Sequence, residues 1–160
     1  MGWTVQLNGT VSSGLGRAHV FMSQPHYQDQ FRTILGTTAW PGTLNVKVEG
    51  ENLINYIALR KKAGIDTLDA DESAREGASN VDVSTIESIR VRGFLRDGVS
   101  FGGATAYQAE ISHKNDKISC AILIPDLTRH VDVVEVISSH FLRERLEIGD
   151  GSEVSLTLSD

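Results

Sequence analysis

Short stretches in which apolar and polar residues alternate recur along most of the chain. In residues 5–11, Val5, Leu7 and Val11 occupy alternate positions, a spacing typical of a β-strand with one buried face. β-branched residues are frequent in several of the other stretches, which favours strands over helices. Similar patterns predict strands over residues 18–22, 43–47, 86–95, 98–103, 104–112, 118–124, 131–137 and 153–158.

Two stretches have helical rather than alternating spacing. Phe31 and Ile34 lie on one face of a helix predicted over residues 28–35, and Gly36 is suited to end it. A second short helix is predicted over residues 141–146. Many short strands with only two or three short helices indicate a mainly β fold, and we expect a small closed or partly closed β-barrel.

The expected barrel comprises residues 1–160 as a single domain, because the chain is too short for two full-sized ones. One segment differs from the rest. Residues 66–80 are acidic, rich in small side chains and without a sustained apolar period. We therefore expect an exposed loop there.

Composition excludes several classes of protein. Hydrophobic residues make up 40% and charged residues 22% of the chain, as in ordinary soluble proteins. Neither a bilayer-spanning apolar run of ~18 residues nor a signal peptide is evident, so we expect a cytoplasmic protein with no membrane partner. The net charge of −6 argues against a general nucleic-acid binder. Cys120 is the single cysteine, so no intramolecular disulfide is possible.

A glycine-bearing segment near the amino terminus is the first candidate binding element. Residues without a β-carbon allow the main chain to approach an anion closely, so this segment can direct backbone N–H groups at a phosphate. An ordinary turn has the same pattern, and that alternative stays open. The segment consists of Gly14, Leu15, Gly16, Arg17, Ala18 and His19.

A short polar motif is the second candidate. On a strand over residues 43–47, Thr43 and Asn45 point to the same face, about 6 to 7 Å apart along the chain. A hydroxyl and an amide carbonyl are neutral hard oxygens suited to Mg²⁺, although a solvated polar pair has the same pattern. The P-loop and protein-kinase motifs are absent from the sequence, so any phosphotransferase here uses another scaffold.

The two motifs and their surroundings resemble one known family. The run G-x-V-S-S-G-L-G that ends at Gly16, followed by Pro41, Gly42, Thr43, Leu44 and Asn45, is similar to the archaeal riboflavin kinases that use CTP. The resemblance implies a cradle-loop barrel that transfers the terminal phosphate of CTP to the 5′-hydroxyl of riboflavin, giving FMN and CDP. It also implies Mg²⁺ as the metal.

Site residues are implied by the same resemblance. Thr43 and Asn45 match the family's Mg²⁺ ligands, and Thr128 and Glu135 fall on its flavin-contacting positions. Glu135 is also a candidate catalytic residue that orients or deprotonates the riboflavin hydroxyl, with a purely binding role left open. The implied nucleotide-binding residues are Gly14, Leu15, Gly16, Arg17, Ala18, His19, His140, Phe141, Leu142 and Arg143.

Three departures from the family pattern affect these assignments. The first is an exposed acidic insertion at about residues 61–85, in which residues 66–80 have no counterpart in the family. Ala18 stands where the family commonly has a third glycine, which is tolerable only if that residue does not need positive φ. The run between His130 and Glu135 is one residue shorter than in the family, which affects the register of Glu135. Arg17 and Arg143 are candidates for neutralising phosphate charge, with a solvated surface position as the alternative.

Two other classes of function are compatible with parts of the sequence. The first is a flavin- or nucleotide-binding barrel without catalysis. The second is a swapped-hairpin DNA-binding regulator, since the ending L-E-I-G-D-G-S-E-V also occurs in such barrels, but the acidic balance weighs against it. The oligomeric state is not determined by the sequence, and a monomer is favoured.

Overall fold

The computed structural model describes residues 4–14, 18–128 and 130–159. Within these residues the chain forms nine strands and five helices. The strands are β1 (Thr4–Ser12), β2 (Leu44–Lys47), β3 (Ile89–Val91), β4 (Phe94–Arg96), β5 (Val99–Phe101), β6 (Ala104–His113), β7 (Asp116–Pro125), β8 (Val133–Ile137) and β9 (Glu153–Ser159). The helices are α1 (Ala18–Met22), α2 (Pro25–Leu35), α3 (Glu51–Lys62), α4 (Glu72–Ser79) and α5 (Leu142–Arg145).

Six of the strands close into an antiparallel barrel. The order is β6-β7-β8-β2-β1-β9, and β9 pairs again with β6. Closure leaves none of these six strands as a free edge. β3 adds to the other end of β6, while β4 and β5 form a separate hairpin. The predicted mainly β barrel is therefore confirmed.

The barrel interior is an apolar core built by the alternation of the strands. Val46, Ile122 and Leu156 are completely buried there, and each comes from a different strand. Helix α3 contributes to the same core, and the hydroxyl of Tyr107 donates a hydrogen bond of 2.8 Å to the carbonyl oxygen of Leu59. Because side chains alternate along a strand, the neighbours of these residues point to the outer face of the barrel.

Helix α2 covers part of that outer face. Phe31 and Ile34 pack with Ala106, Ala121 and Leu123 in a second apolar cluster outside the barrel. The predicted helix is confirmed and is one turn longer than expected, since it begins at the proline of its first turn. It ends at a glycine with φ of 81°, as the sequence pattern indicated.

The prediction of a strand over residues 18–22 is wrong. These residues form helix α1, and the carbonyl oxygen of Met22 accepts a hydrogen bond of 2.7 Å from the Gln28 side chain on α2. A five-residue apolar run fits both helical and strand periods, so its contacts with neighbouring elements decide between them. Ala18 begins this helix. A right-handed helix does not require positive φ, so an alanine is tolerated where the family commonly has a third glycine.

The prediction of an exposed loop over residues 66–80 is also wrong in part. Residues 72–79 form α4, whose first turn is capped by Asp71, which accepts a hydrogen bond of 2.8 Å from the backbone N–H of Ala74. Ala74 and Ala78 are buried in a third cluster with Ile57 and Ala58 of α3. Since α3 was not predicted either, the described residues contain five helices rather than two or three.

No helix within the described ranges is long and apolar enough to cross a membrane. Whether residues 61–85 are an insertion relative to the family stays a prediction, as does the assignment of residues 1–160 to one domain.

Candidate functional site

A row of paired residues crosses the outer face of the barrel from β1 to β6. Ser12 pairs with Asn45, Asn45 pairs with Glu135, and Glu135 pairs with Leu123, which in turn pairs with Ala106. Directly paired residues of neighbouring strands point to the same face. The row is therefore polar at its β1 end and apolar at its β6 end.

The polar end includes the two residues predicted to bind a metal. Asn45 lies on β2 between two core residues, Leu44 and Val46, and so faces outward as predicted. Thr43 directly precedes the strand, and its hydroxyl donates a hydrogen bond of 3.2 Å to the side-chain oxygen of Asn45. Only 8% of Asn45 is exposed, so its amide is held in place by its surroundings.

The spacing of these two oxygens fits a magnesium ion. Mg²⁺ binds oxygen at 2.0 to 2.1 Å in an octahedron, so adjacent ligands are about 3 Å apart. The 3.2 Å between Thr43 Oγ1 and Asn45 Oδ1 is close to that distance. No cluster of three or more His, Cys, Asp or Glu side chains suited to a metal exists in the described part of the chain.

Glu135 faces the same region from β8. Burial raises the pKa of its carboxyl group, and the nearby His130 opposes that effect. A carboxylate that is partly removed from water binds a proton more readily than an exposed one. Its chemistry is therefore that of a hydrogen-bond acceptor and of a stronger base than an exposed carboxylate.

An apolar cavity of about 300 Å³ adjoins Glu135 on the β6 side. Thr43 and Glu135 are the polar side chains at its boundary apart from the Tyr27 hydroxyl. Such a lining, mostly apolar with a few polar groups on one side, is typical of sites for small organic ligands. The other lining residues are Phe21, Met22, Phe31, Val91, Gly102, Gly103, Ala104, Leu123, Pro125 and Leu127.

Aromatic side chains from α2 and the β4–β5 hairpin meet beside this cavity. Phe94 and Phe101 stack with ring centroids 4.8 Å apart, and Tyr27 contacts Phe94 edge-on at 4.8 Å. The Tyr27 hydroxyl donates a hydrogen bond to the carbonyl oxygen of Gly102, and burial raises its pKa. The hairpin is thereby fixed to α2 next to the cavity.

A second, smaller cavity of about 60 Å³ lies on the other side of Thr43. Trp40 and Phe141 form one wall, where their rings stack 4.9 Å apart at an angle of 16°. All four residues predicted from the carboxy-terminal segment, His140, Phe141, Leu142 and Arg143, are among those that line it. A flat aromatic wall beside an arginine suits a planar ring attached to an anionic group.

Thr43 lines both cavities, and this is the main geometric feature of the site. A molecule in the apolar cavity and a molecule in the small cavity would therefore meet at Thr43. Asn45 and Glu135 flank the same point on the outer face of the barrel. The arrangement places hard oxygens and a carboxylate where two bound molecules come together.

The glycine segment is only partly described. Gly14 lies against Asn45: a β-carbon added to it would come within 2.4 Å of the Asn45 side-chain nitrogen. Leu15, Gly16 and Arg17 lie outside the described residues, as do the side chains of Ala18 and His19. The backbone at residues 18 and 19 belongs to α1.

Two other predicted residues have partners within the protein. Thr128 lies in the turn after β7 and accepts a hydrogen bond of 3.3 Å from the backbone N–H of His130, and it is not among the residues that line the apolar cavity. Arg143 donates a hydrogen bond of 2.7 Å to Asp150, so its charge is already partly neutralised. Their assignments to flavin and to phosphate stay predictions.

Sequence reasoning missed several residues of the site. Trp40 lies only two residues before Gly42. Its closeness to the predicted Thr43 motif could have indicated Trp40 as a site residue. Tyr27 and Leu123 carried no such signal, because their approach to the cavity depends on how α2 and β7 pack.

These features define a small closed β-barrel with a two-cavity binding site on its outer surface. The family model of the CTP-dependent riboflavin kinase domain, described as "Domain of unknown function DUF120", matches residues 11–83 and 65–158. The two matches together cover most of the chain. The chain therefore belongs to this family.

Several curated relatives agree with the family match. A riboflavin kinase of Methanocorpusculum labreanum is 34% identical over 153 residues, which is 95% of this chain and 56% of the relative. A riboflavin kinase of Haloquadratum walsbyi is 33% identical over 156 residues, 96% of this chain and 56% of the relative. One of Thermoplasma acidophilum is 31% identical over 152 residues, with 95% and 56% covered. The chain thus spans about half the length of the curated relatives it matches.

Proposed function

We propose that this protein is a CTP-dependent riboflavin kinase that converts riboflavin and CTP into FMN and CDP. The observation that carries the proposal is that Thr43 lines both cavities, with Asn45 and Glu135 beside it. A bisubstrate phosphotransferase needs two adjoining sites that meet at the transferred phosphate. The family match and the names of the relatives support the same activity.

In this proposal riboflavin occupies the apolar cavity. Its ring system is planar and largely apolar, in keeping with a lining of Met22, Phe31 and Leu123. The ribityl chain carries hydroxyl groups and points to the polar boundary of the cavity, where Thr43 and Glu135 lie. The 5′-hydroxyl then reaches the polar end of the cross-strand row.

CTP occupies the smaller cavity and the adjoining glycine segment. The cytosine ring lies against the wall formed by Trp40 and Phe141, and the phosphates extend along Thr43 toward Gly14. Opening of this cavity accompanies binding, because 60 Å³ is too small for a nucleotide. The preference for CTP over other nucleotides rests on the family name.

Thr43 and Asn45 would hold Mg²⁺, whose role when bound is to neutralise charge on the phosphates. The chain's own residues align the reactants. The 5′-oxygen of riboflavin attacks the terminal phosphorus, the bond to the bridging oxygen of CDP breaks, and CDP leaves. Glu135 accepts a hydrogen bond from the attacking hydroxyl and takes its proton as the bond forms.

Nucleotide specificity and catalysis are tested together by one experiment. The pure protein is incubated with riboflavin, Mg²⁺ and each of the four common nucleoside triphosphates in turn, and FMN is measured by chromatography. We expect FMN with CTP and little with the others. Binding of riboflavin and CTP without FMN would support a non-catalytic flavin- or nucleotide-binding barrel and would refute the proposal.

A further inference from the structure

Asp150 makes side-chain bonds to two segments that are far apart in sequence. It lies in the turn between α5 and β9. One carboxylate oxygen accepts a hydrogen bond from the Ser13 hydroxyl, and the other accepts a hydrogen bond of 2.7 Å from the Arg143 guanidinium. The same guanidinium nitrogen donates to the backbone oxygen of Ser12 at 3.3 Å. Asp150 thereby joins the end of β1 to the segment that lines the small cavity.

The turn that carries Asp150 is itself fixed by backbone hydrogen bonds. The N–H of Gly151 donates to the carbonyl oxygen of Val11 at 2.9 Å, and the N–H of Val11 donates to the carbonyl oxygen of Ser152 at 2.8 Å. Ser152 also closes the turn, since its hydroxyl accepts a hydrogen bond of 3.1 Å from Gly149. The carboxylate is therefore presented from a rigid support.

The two partners of Asp150 adjoin different parts of the proposed donor site. Ser13 directly precedes Gly14, which lies against the Asn45 side chain. Arg143 lines the small cavity and is about one-third exposed, so its remaining N–H groups are accessible from that cavity. Asp150 and the direct bond from Arg143 to Ser12 together hold Arg143 beside the end of β1.

The ionised form of Asp150 is the one that holds Ser13 and Arg143. The hydrogen bonds from Ser13 and Arg143 hold the pKa of its carboxyl group below the ordinary value, so it is ionised near neutral pH and accepts both bonds. An arginine held by a carboxylate has fewer rotamers available than a free one, which lowers the entropy lost when it binds an anion.

We propose that Asp150 is a positioning residue for the phosphate donor: it holds Ser13 and Arg143 at a fixed spacing and so shapes the entrance through which the nucleotide phosphates reach Thr43. Asp150 acts through these two residues and does not itself contact substrate. The inference rests on the proposed function, since it assigns CTP to the small cavity.

The test compares Asp150→Asn with the unchanged protein. Asparagine keeps the size of the side chain but loses the charge, and it has one acceptor oxygen where the carboxylate has two, so the charge-assisted hold on Ser13 and Arg143 is weakened. We expect KM for CTP to rise about tenfold, with KM for riboflavin unchanged and a thermal midpoint close to that of the unchanged protein. Asp150→Glu keeps the charge and should restore part of the CTP affinity. Asp116→Asn, at an exposed hairpin turn, is the matched control.

Direct titration of CTP by calorimetry separates failure of this inference from failure of the proposed function. Absence of FMN with the unchanged protein would refute the kinase activity, while its CTP affinity could still be compared with that of Asp150→Asn. Equal CTP affinities for the two proteins, or an equal rise in both KM values, would overturn the positioning role. If Asp150→Asn unfolds, Ser13→Ala provides the same comparison, and an unchanged CTP affinity there would also overturn it.

Discussion

Asn45 on β2 and Glu135 on β8 are directly paired across the antiparallel ladder, and both side chains face the outside of the barrel. An amide and a carboxylate with a raised pKa thus lie side by side where two cavities meet. The strand register brings together a predicted metal ligand and a predicted flavin-contacting residue that are 90 positions apart in the sequence.

The first prediction concerns the metal ligand. Asn45→Ala removes one of the two oxygens that are 3.2 Å apart, so we expect kcat to fall about 100-fold and the Mg²⁺ concentration needed for half-maximal rate to rise. The fold should persist, because the barrel core on the opposite face is untouched. Steady-state assays over a range of Mg²⁺ concentrations check this.

Asn115→Ala is the matched control, since Asn115 lies exposed in the turn between β6 and β7. It should leave the rate and the metal dependence unchanged. An Asn45→Ala protein with normal turnover would remove this residue from the metal site.

The second prediction concerns the contact between the glycine segment and Asn45. Gly14→Ala places a β-carbon 2.4 Å from the Asn45 side-chain nitrogen, so the amide must move out of position. We expect a loss of activity of about 100-fold, comparable to that of Asn45→Ala, and little further loss when both changes are combined. Gly149→Ala, where a β-carbon meets no atom within 4 Å, is the control. Additive effects of the two changes would contradict the contact.

The third prediction separates the two cavities. Trp40→Ala removes half of the aromatic wall of the small cavity, so KM for CTP should rise by about tenfold while KM for riboflavin stays the same. Phe21→Ala, which shortens a side chain that lines only the apolar cavity, should raise KM for riboflavin and spare that for CTP.

Full kinetic analysis of the two variants, with Trp40→Phe as the conservative control, checks this crossed pattern. Trp40→Phe retains a stacking surface and should stay close to the unchanged protein. If Trp40→Ala raised only the riboflavin KM, the assignment of the cavities would be reversed.

The fourth prediction concerns pH and stability at the edge of the apolar cavity. Asp126 accepts hydrogen bonds from Arg90, which hold its pKa below the ordinary value of 3.8. A pKa that is lower in the folded than in the unfolded protein stabilises the fold at pH values above the unfolded-state pKa. That stabilisation is lost as the pH falls through the folded-state pKa. Because the pair is partly exposed, Asp126→Asn should cost only about 0.5 to 1 kcal/mol near neutral pH.

Urea unfolding at several pH values checks this. The difference between Asp126→Asn and the unchanged protein should shrink as the pH falls below about 4 and through the lowered pKa of folded Asp126. A difference that stays constant over that range would show that the effect does not come from the charge of the carboxylate.

Local patterns in the sequence were sufficient for much of the fold and part of the site. The period of two along residues 43–47 placed Leu44 and Val46 on one face and Asn45 on the other, and in the structure Leu44 and Val46 lie in the core. Helix α4 was missed because its buried face consists of alanines, which give a weak apolar signal although they pack closely against α3. Helix α1 was assigned to a strand because five residues are too few to distinguish the two periods.

Contacts between distant segments could not be predicted from such patterns. The pairing of Asn45 with Glu135 depends on the register of β2 against β8, and the bond of Ser13 to Asp150 links residues separated by 137 positions. The stack of Trp40 on Phe141 likewise requires the loop before β2 and the loop before α5 to meet. All three contacts join segments that are distant in the sequence, so no local pattern predicts them.

The central claim is transfer of the terminal phosphate of CTP to riboflavin at Thr43, and one measurement tests it most directly. Riboflavin is incubated with CTP that carries a radioactive label in the terminal phosphate, and the FMN formed is isolated and counted. The account predicts one labelled phosphate per FMN with the unchanged protein, and formation of labelled FMN about 100-fold slower with Asn45→Ala. Unlabelled FMN, or no FMN although both ligands bind, would contradict it.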